Sequence, residues 1–571
     1  MINSPRILKI ARLMPESART IVQTIILAIS GGTASVVFML GVHAVYLVTY
    51  KKLATHSLAF FAGASLVLIL TSSLIVGVLL GRISPQAAGS GIPQLKAAYW
   101  KGLGHVAWTP TIVKFIAGIV SIGGGASLGR EGPSVYMAGG VASGLSGLFG
   151  IPKRKRRAAV AIGSAAGLAA AFNTPLAAIT FVLEELIGDW NSRHLGRVVL
   201  ASVVGAMVVY GFIGKTPSFI LPSVEQASWT HMLAVPLVAL VASLLGVIFQ
   251  RATVYGRGRF RLHPMVPDWL RPTLGGLTTW LLGITGFAIC GLTGVFGLGY
   301  EDLSTALEGG VDWRVAGLLA LLKLFATIAC YSTGGCGGIF SPTLFIGGFS
   351  GLFVSGMLGK VLPLGPDDQI LLTVVGMSAC LGGVIRAPLT SILIVFEMTH
   401  EFNLVPALML GALVSQTISR LAGPHNFYDD LLVQDGHELI RIHPPADLSG
   451  WQNLPVSVVA VNRPVTVDSL EPDAIRKLLM TYPYHAFPCI ENNHPAGILR
   501  REQLENFLKT GIRPEMNPAL LCFPDESIRD ASQRFINSPV GMLLIVERTS
   551  ANLQSVLTLH DLLRAQASIQ E

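Results

Sequence analysis

The sequence predicts a mainly α-helical, polytopic membrane protein built of two related halves with short, tilted and broken helices, followed by a small α/β domain. Three observations predict it. The 571 residues are 51% hydrophobic and only 13% charged, against about 25% charged in soluble chains. Glycine- and proline-marked apolar segments recur at a fixed offset. Charge and strand-like runs return abruptly after Pro424.

The first 19 residues carry Arg6, Lys9, Arg12 and Arg19 without a small-residue cleavage site, which reads as a cytoplasmic segment ahead of a retained signal anchor. Thr20 to Tyr50 and Leu53 to Gly81 contain no Asp, Glu, Lys or Arg. Each exceeds the roughly 20 apolar residues that span a bilayer.

The repeat follows. Lys114 precedes Gly123-Gly124-Gly125 and Gly129-Arg130-Glu131-Gly132-Pro133, and Lys323 precedes Gly334-Gly335 and Gly338-Ile339-Phe340-Ser341-Pro342, with matching Lys, Gly and Pro 209 residues apart. Downstream, Phe172-Asn173-Thr174-Pro175-Leu176 with Glu184 answers Ile385-Arg386-Ala387-Pro388-Leu389 with Glu397. The halves run from about 20 to 215 and 226 to 435. Apolar segments between about 92 and 190 and between 340 and 421 are often shorter than a span. Such broken backbone survives at membrane depth only where it is buried in protein or lines a polar pathway. At corresponding places in two halves it points to a substrate site near the bilayer midplane.

The formal charge of +8 comes without a basic stripe interleaved with aromatics, so it reads as membrane-orienting loop charge and not as a nucleic-acid surface. The six cysteines show no CxxC or CxxH spacing, and neither metal nor disulfide is assigned to them. An integral membrane enzyme would need paired carboxylates or a metal-ligand cluster, and no HExxH group is present.

Three segments carry the chemistry. Gly89-Ser90-Gly91-Ile92-Pro93 places a hydroxyl between two glycines at a helix start, where free amides and the helix dipole suit an anion; a plain turn is the other reading. Gly129-Arg130-Glu131-Gly132-Pro133 puts a carboxylate at a second helix start. Within a membrane domain that residue is a functional candidate, or else a structural ion pair with Arg130. Gly338-Ile339-Phe340-Ser341-Pro342 is the matching start from the second half, without the charge.

Together these segments resemble the GSGIP, GREGP and GxFxP signatures of the CLC family of chloride channels and proton-coupled chloride transporters, over about 20 to 435. The resemblance implies a homodimer with one anion pathway per subunit and two inverted halves in each. Ser90, between Gly89 and Gly91, and Tyr428 would donate hydroxyls to the anion, Ile339 and Phe340 would donate amides, and Lys114, Arg130 and Glu184 would support the site. Tyr428 reads alternatively as an interfacial anchor. Glu131 would be the gate and outer proton site, its carboxylate competing with the anion. Ser90 implies chloride, because relatives that prefer nitrate tend to carry Pro there.

The basic run Lys153-Arg154-Lys155-Arg156-Arg157 marks a cytoplasmic loop, or any solvated loop. With that loop inside, Glu131 lies toward the outside and Glu184 and Glu185 toward the inside. Adjacent residues point about 100° apart on a helix, so one of the pair can be a solvated mouth residue while the other faces the protein. The resemblance makes Glu185 the internal proton site, a position usually apolar in the family's channels. The expectation is a chloride/proton antiporter, with a voltage- or pH-gated chloride channel of the same fold as the alternative, in a bacterial inner membrane.

Beyond a linker at 436–454, Leu470-Glu471-Pro472-Asp473 is echoed by Cys522-Phe523-Pro524-Asp525. Strand runs such as Val456 to Val461 and Pro-Asp helix starts resemble a cytoplasmic pair of CBS modules, at 455–511 and 512–571. The family's nucleotide-gripping pattern stands as Thr558-Leu559-His560-Asp561 in the second module, while the first reads Arg500-Arg501-Glu502-Gln503. An adenine nucleotide at Thr558 and Asp561, or a packing and dimer-stabilising tail, are the two readings. The transport reading requires no cofactor.

Overall fold

The computed structural model describes residues 15–152, 156–190, 194–214, 218–219, 221–222, 230–262, 266–437, 455–462, 464–491, 494–535 and 538–568. Of the features expected above, the segment before residue 15, the linker beyond residue 437 and Lys153, Arg154 and Lys155 lie outside them. The chain forms two compact units, Met1–His443 and Pro444–Glu571.

The first unit is helical. Its first half comprises α1 (Glu16–Tyr46), α2 (Leu58–Val78), α3 (Ile92–Trp100), α4 (Trp108–Gly123), α5 (Glu131–Leu148), α6 (Arg157–Phe172), α7 (Pro175–Phe181) and α8 (Leu195–Phe212). The second half repeats the order with α9 (Thr230–Leu262), α10 (Arg271–Cys290), α11 (Tyr300–Leu307), α12 (Trp313–Ser332), α13 (Phe340–Leu358), α14 (Pro366–Ile385), α15 (Pro388–Thr399) and α16 (Val405–Ala422). The short α17 (Phe427–Gln434) follows. Among the described residues, 9 helical stretches are long and apolar enough to cross a membrane.

Two of these are α13 and α14, with 19 and 20 residues, so the expected shortening after residue 340 applies only to α15, with 12. The glycines here bring helices together instead of breaking them: a Cβ on Gly347 would sit 2.2 Å from the Gly376 carbonyl oxygen. Small residues permit that backbone approach where lipid gives no hydrophobic drive for helix association.

The halves meet at equivalent residues. Gly129 N donates to Gly338 O at 2.7 Å and Gly338 N to Gly129 O at 2.5 Å, in antiparallel pairing. An exchange between equivalent positions implies a local twofold axis, and α5 and α13 start on either side of it. The axis is repeated in the buried lysines. Lys114 donates to the carbonyls of Ala87, Ala88 and Gly89 at 2.7, 3.4 and 2.9 Å and lies 5.2 Å from the Tyr136 ring. Lys323 donates to Gly294, Val295 and Gly297 at 2.8, 3.3 and 2.7 Å and lies 5.3 Å from the Phe345 ring. An ammonium has three donors, and each loop carbonyl set satisfies a charge that burial would otherwise make expensive.

The Pro-started helices are joined across the axis. Asn173 and Arg386 both turn the chain in the left-handed region, at φ of 60° and 54°, just before Pro175 and Pro388. Glu184 then caps the helix of the other half, accepting from Leu389 N, Thr390 N and Thr390 Oγ1 at 3.3, 2.9 and 2.7 Å. Glu397 returns the contact, accepting from Leu176 N and Ala177 N at 2.9 and 2.7 Å. Each carboxylate satisfies amides that have no intrahelical carbonyl and faces the positive end of a helix dipole.

In the second unit, β1 (Val461–Asn462) is followed by α18 (Pro472–Thr481), the hairpin β2 (Ala486–Glu491) and β3 (His494–Arg500), and α19 (Arg501–Thr510). The second copy has β4 (Leu520–Cys522), α20 (Ile528–Phe535), β5 (Met542–Val546), β6 (Leu553–Thr558) and α21 (Leu559–Ser568). One sheet runs β1-β6-β5-β4, so the opening strand of the first copy completes the sheet of the second. Two expectations change. The strand over Val456 to Val461 forms only at its end, because Val456–Val458 makes a 3-10 turn that packs Val456 into a core with Cys522, Ile528 and Leu543. The second helix does not start at Pro524-Asp525 either: Ser527 Oγ accepts from Asp530 N at 3.2 Å and sets the start at Ile528.

Candidate functional site

The three glycine-bounded helix starts converge. A Cβ on Gly132 would lie 2.9 Å from Ser90 Cβ and 3.3 Å from Gly338 Cα, so the GSGIP, GREGP and GIFSP segments touch at a point that admits only glycine. Ser90 sits between Gly89 and Gly91, whose φ values of 68° and 87° suit residues without a Cβ. The Lys114 ammonium fixes this loop from beneath. Ser90 is buried, its amide donating to the Tyr331 hydroxyl at 3.3 Å and its Oγ accepting from that hydroxyl at 3.4 Å, which leaves the serine O–H itself free to donate.

At the start of α13, Ile339 and Phe340 are fully buried, and the Phe340 ring packs 5.8 Å from Phe172 and 5.6 Å from Phe181. Thr343 N is the first amide of this turn to reach a helix carbonyl, that of Ile339 at 2.9 Å. The amides of Ile339, Phe340 and Ser341 precede it, in the part of the turn with no intrahelical acceptor. Tyr428, on α17, is completely buried, and its hydroxyl has no hydrogen-bond partner among the described residues. That burial removes the interfacial-anchor reading. Phe427 bridges the two tyrosines, its ring 5.3 Å from Tyr331 and 5.7 Å from Tyr428.

Glu131 is fully buried at the start of α5. Its Oε1 accepts from the Tyr300 hydroxyl at 2.7 Å and from Ser341 Oγ at 2.6 Å, while Oε2 has no hydrogen-bond partner among the described residues. Arg130 Nε stands 4.0 Å away and makes no hydrogen bond to it. The hydrogen bonds to the carboxylate therefore come from hydroxyls of the other half, with Arg130 adding an ion-pair contact at 4.0 Å.

Glu184 and Glu185 part company as adjacent helical residues should. The mouth-residue reading of Glu184 gives way to the helix cap described above. Glu185, in the wide turn that ends α7, is buried. Its Oε1 accepts from Lys96 Nζ at 2.8 Å and its Oε2 from Asn426 Nδ2 at 2.8 Å. Lys96 also donates to Asp429 Oδ1 at 2.9 Å, and Asn426 caps α17 through Asp429 N at 2.8 Å. The cluster holds one cation between two carboxylates, one of which, Asp429, lies on the short helix that carries Tyr428.

Sequence reasoning missed Tyr300, Tyr331, Ser341 as a side chain, Lys96, Asn426 and Asp429. Lys96 had a signal, an ammonium in the first helix after GSGIP. Arg157, read as loop charge, donates to Tyr99 O and Trp100 O at 2.9 and 2.8 Å and closes the C-terminus of α3. In the second unit, Thr558 and Asp561 bond each other, Oγ1 to Oδ2 at 2.5 Å with Asp561 N returning to Thr558 Oγ1 at 3.3 Å. The turn is thus a self-contained start for α21. Arg500 and Gln503 make the matching cap in the first copy.

Residues 72–420 match the family described as voltage gated chloride channel, and 513–568 match the CBS domain. The chain belongs to the CLC family. The H(+)/Cl(-) exchange transporter ClcA of Vibrio cholerae serotype O1 is 32% identical over 360 residues, 62% of this chain and 76% of that protein. Two solved CLC structures share the fold. A slow cyanobacterial Cl-/H+ antiporter has a TM-score of 0.65 at 23% identity, covering 74% of this chain and 98% of that one. A eukaryotic CLC transporter has a TM-score of 0.60 at 20% identity, covering 95% and 98%. As a CLC protein with a C-terminal CBS unit, the chain is integral to the membrane.

Proposed function

We propose that this chain exchanges chloride for protons across a bacterial inner membrane, as a homodimer in which each subunit has its own pathway and the CBS unit faces the cytoplasm. The observation that carries the reading is Glu131: a buried carboxylate at the head of α5, with one oxygen bonded by hydroxyls of the opposite half and the other without a hydrogen-bond partner among the described residues. The likeness to a protein named as an H(+)/Cl(-) exchange transporter supports the same reading.

In this account chloride rests where the Ser90 and Tyr428 hydroxyls and the amides of Ile339 and Phe340 point, and the caged Lys114 charge offsets part of its desolvation. Ionised Glu131 competes with chloride for the helix termini, as a helix N-terminus favours either anion. Protonation removes the charge, releases the side chain and opens the outer path. Glu185 exchanges the proton with the inner side, and the Lys96–Asp429 pair sets its surroundings. A proton crosses only as chloride moves the other way, because both use Glu131.

The test is flux in proteoliposomes. Glu131→Gln is expected to pass chloride without moving protons, and Glu185→Val to stop proton movement while chloride still flows. A wild-type protein that moves no protons against their gradient refutes the exchanger and leaves the channel.

A further inference from the structure

The reading of Glu131 as a gate rests on its competition with chloride, but the geometry around it shows more. Both donors to Oε1 come from first turns of second-half helices, Tyr300 from α11 and Ser341 from α13. They lie 3.0 Å from each other and close a triangle on the carboxylate. Each hydroxyl has one proton, and an ionised carboxylate takes both.

Tyr300 is held from its backbone and from both sides of its ring. Gly299 before it has φ of 83° and leaves no room for a Cβ, which would lie 2.6 Å from the Phe345 ring. The preceding loop is anchored by Lys323 through Gly294, Val295 and Gly297, and Asp302 Oδ2 accepts from Gly294 N at 2.5 Å. The ring is clamped by Phe219, edge-on at 5.5 Å, and by the Arg130 guanidinium, 5.6 Å from its centre. The related helix start in the first half carries Ile92, which has no hydroxyl, so this feature breaks the twofold symmetry.

We propose that Tyr300 and Ser341 form a hydroxyl latch that holds the Glu131 gate shut and thereby sets the pH range over which the protein transports. The latch deepens the gate reading and depends on it. Hydrogen bonds from hydroxyls to a charged acceptor are about twice as strong as neutral ones. They act on ionised Glu131; once a proton neutralises it, the same hydroxyls hold it weakly and the side chain leaves. The ionisable groups facing Glu131 are Arg130 on its own element, Tyr300 on α11 and Tyr428 on α17. Tyr300 and Ser341 are positioning residues: they act through Glu131 and not on chloride.

Chloride flux between about pH 4.5 and about pH 8, in proteoliposomes at matched protein content, tests this. Tyr300→Phe keeps the ring and removes one donor; Ser341→Ala removes the other without touching the ring. Each is expected to raise flux near the alkaline end about tenfold, the scale of one charge-assisted hydrogen bond, and to change flux near the acid end much less, within about twofold. In a Glu131→Gln protein, whose flux is expected to be independent of pH, adding Tyr300→Phe changes nothing. A Glu131→Gln protein that keeps the wild-type pH dependence overturns the gate reading and the latch with it. A pH-independent Glu131→Gln protein alongside wild-type profiles for both Tyr300→Phe and Ser341→Ala overturns the latch alone.

Discussion

At the scale of single residues, the buried charges divide by how they are satisfied. Lys114 and Lys323 each donate to three loop carbonyls, so their hydrogen-bonding capacity is spent on the scaffold. Lys96 is different, because two carboxylates share it. Removing one member of a buried ion cluster leaves an unpaired charge, which destabilises by about 3–5 kcal/mol, whereas replacing a pair by apolar groups is often neutral. Lys96→Met is therefore expected to lower thermal stability in detergent sharply, and Lys96→Met with Glu185→Leu to recover part of the loss, since Asp429 also gives up the ammonium. Equal melting points for the single and double variants would show that Glu185 does not depend on Lys96. Glu131 and Ser90 stood out in the sequence as polar groups in apolar segments and Glu185 through the family resemblance, and all three are buried. Tyr300 and Tyr331 did not stand out, since a tyrosine in such a segment carries no mark of what its hydroxyl touches.

At the scale of elements, the fixed offset between the halves was visible in the glycines and prolines, and Gly129 and Gly338 meet in space as the offset implies. What the offset hid is that the halves exchange caps. Glu184 and Glu397, each nine residues after a proline, read as belonging to their own helices, yet each binds the amides of the other half. Only folding brings those termini together. Loss of a capping side chain costs about 0.5–2 kcal/mol, so Glu184→Ala and Glu397→Ala are expected to lower the melting point by similar amounts. Glu184→Ala is also expected to keep proton coupling, in contrast to Glu185→Val. Lost coupling in Glu184→Ala would give that residue a role in the proton path beyond its cap. The misread strand at Val456 has a related cause: β-branched runs suit strands, but tertiary packing of Val456 into the core prevailed.

At the scale of the whole molecule, a nearly symmetric scaffold carries an asymmetric pair of carboxylates. The symmetric parts, the glycine contact, the lysine cages and the exchanged caps, build a place where helix termini of both halves face one another. Glu131 stands where its counterpart is Phe340, and Glu185 stands in the helical turn after α7. In the CBS unit the Thr558–Asp561 turn is spent on its own helix start, so ATP added to the transport assay is expected to leave chloride flux unchanged; a dose-dependent change would assign the modules a nucleotide. The central claim is that chloride movement drives protons through these two carboxylates. Proteoliposomes given a chloride gradient and no pH gradient test it most directly: the account predicts proton movement opposite to chloride, abolished by Glu131→Gln and by Glu185→Val, and chloride flux with no accompanying proton movement in the wild-type protein would contradict it.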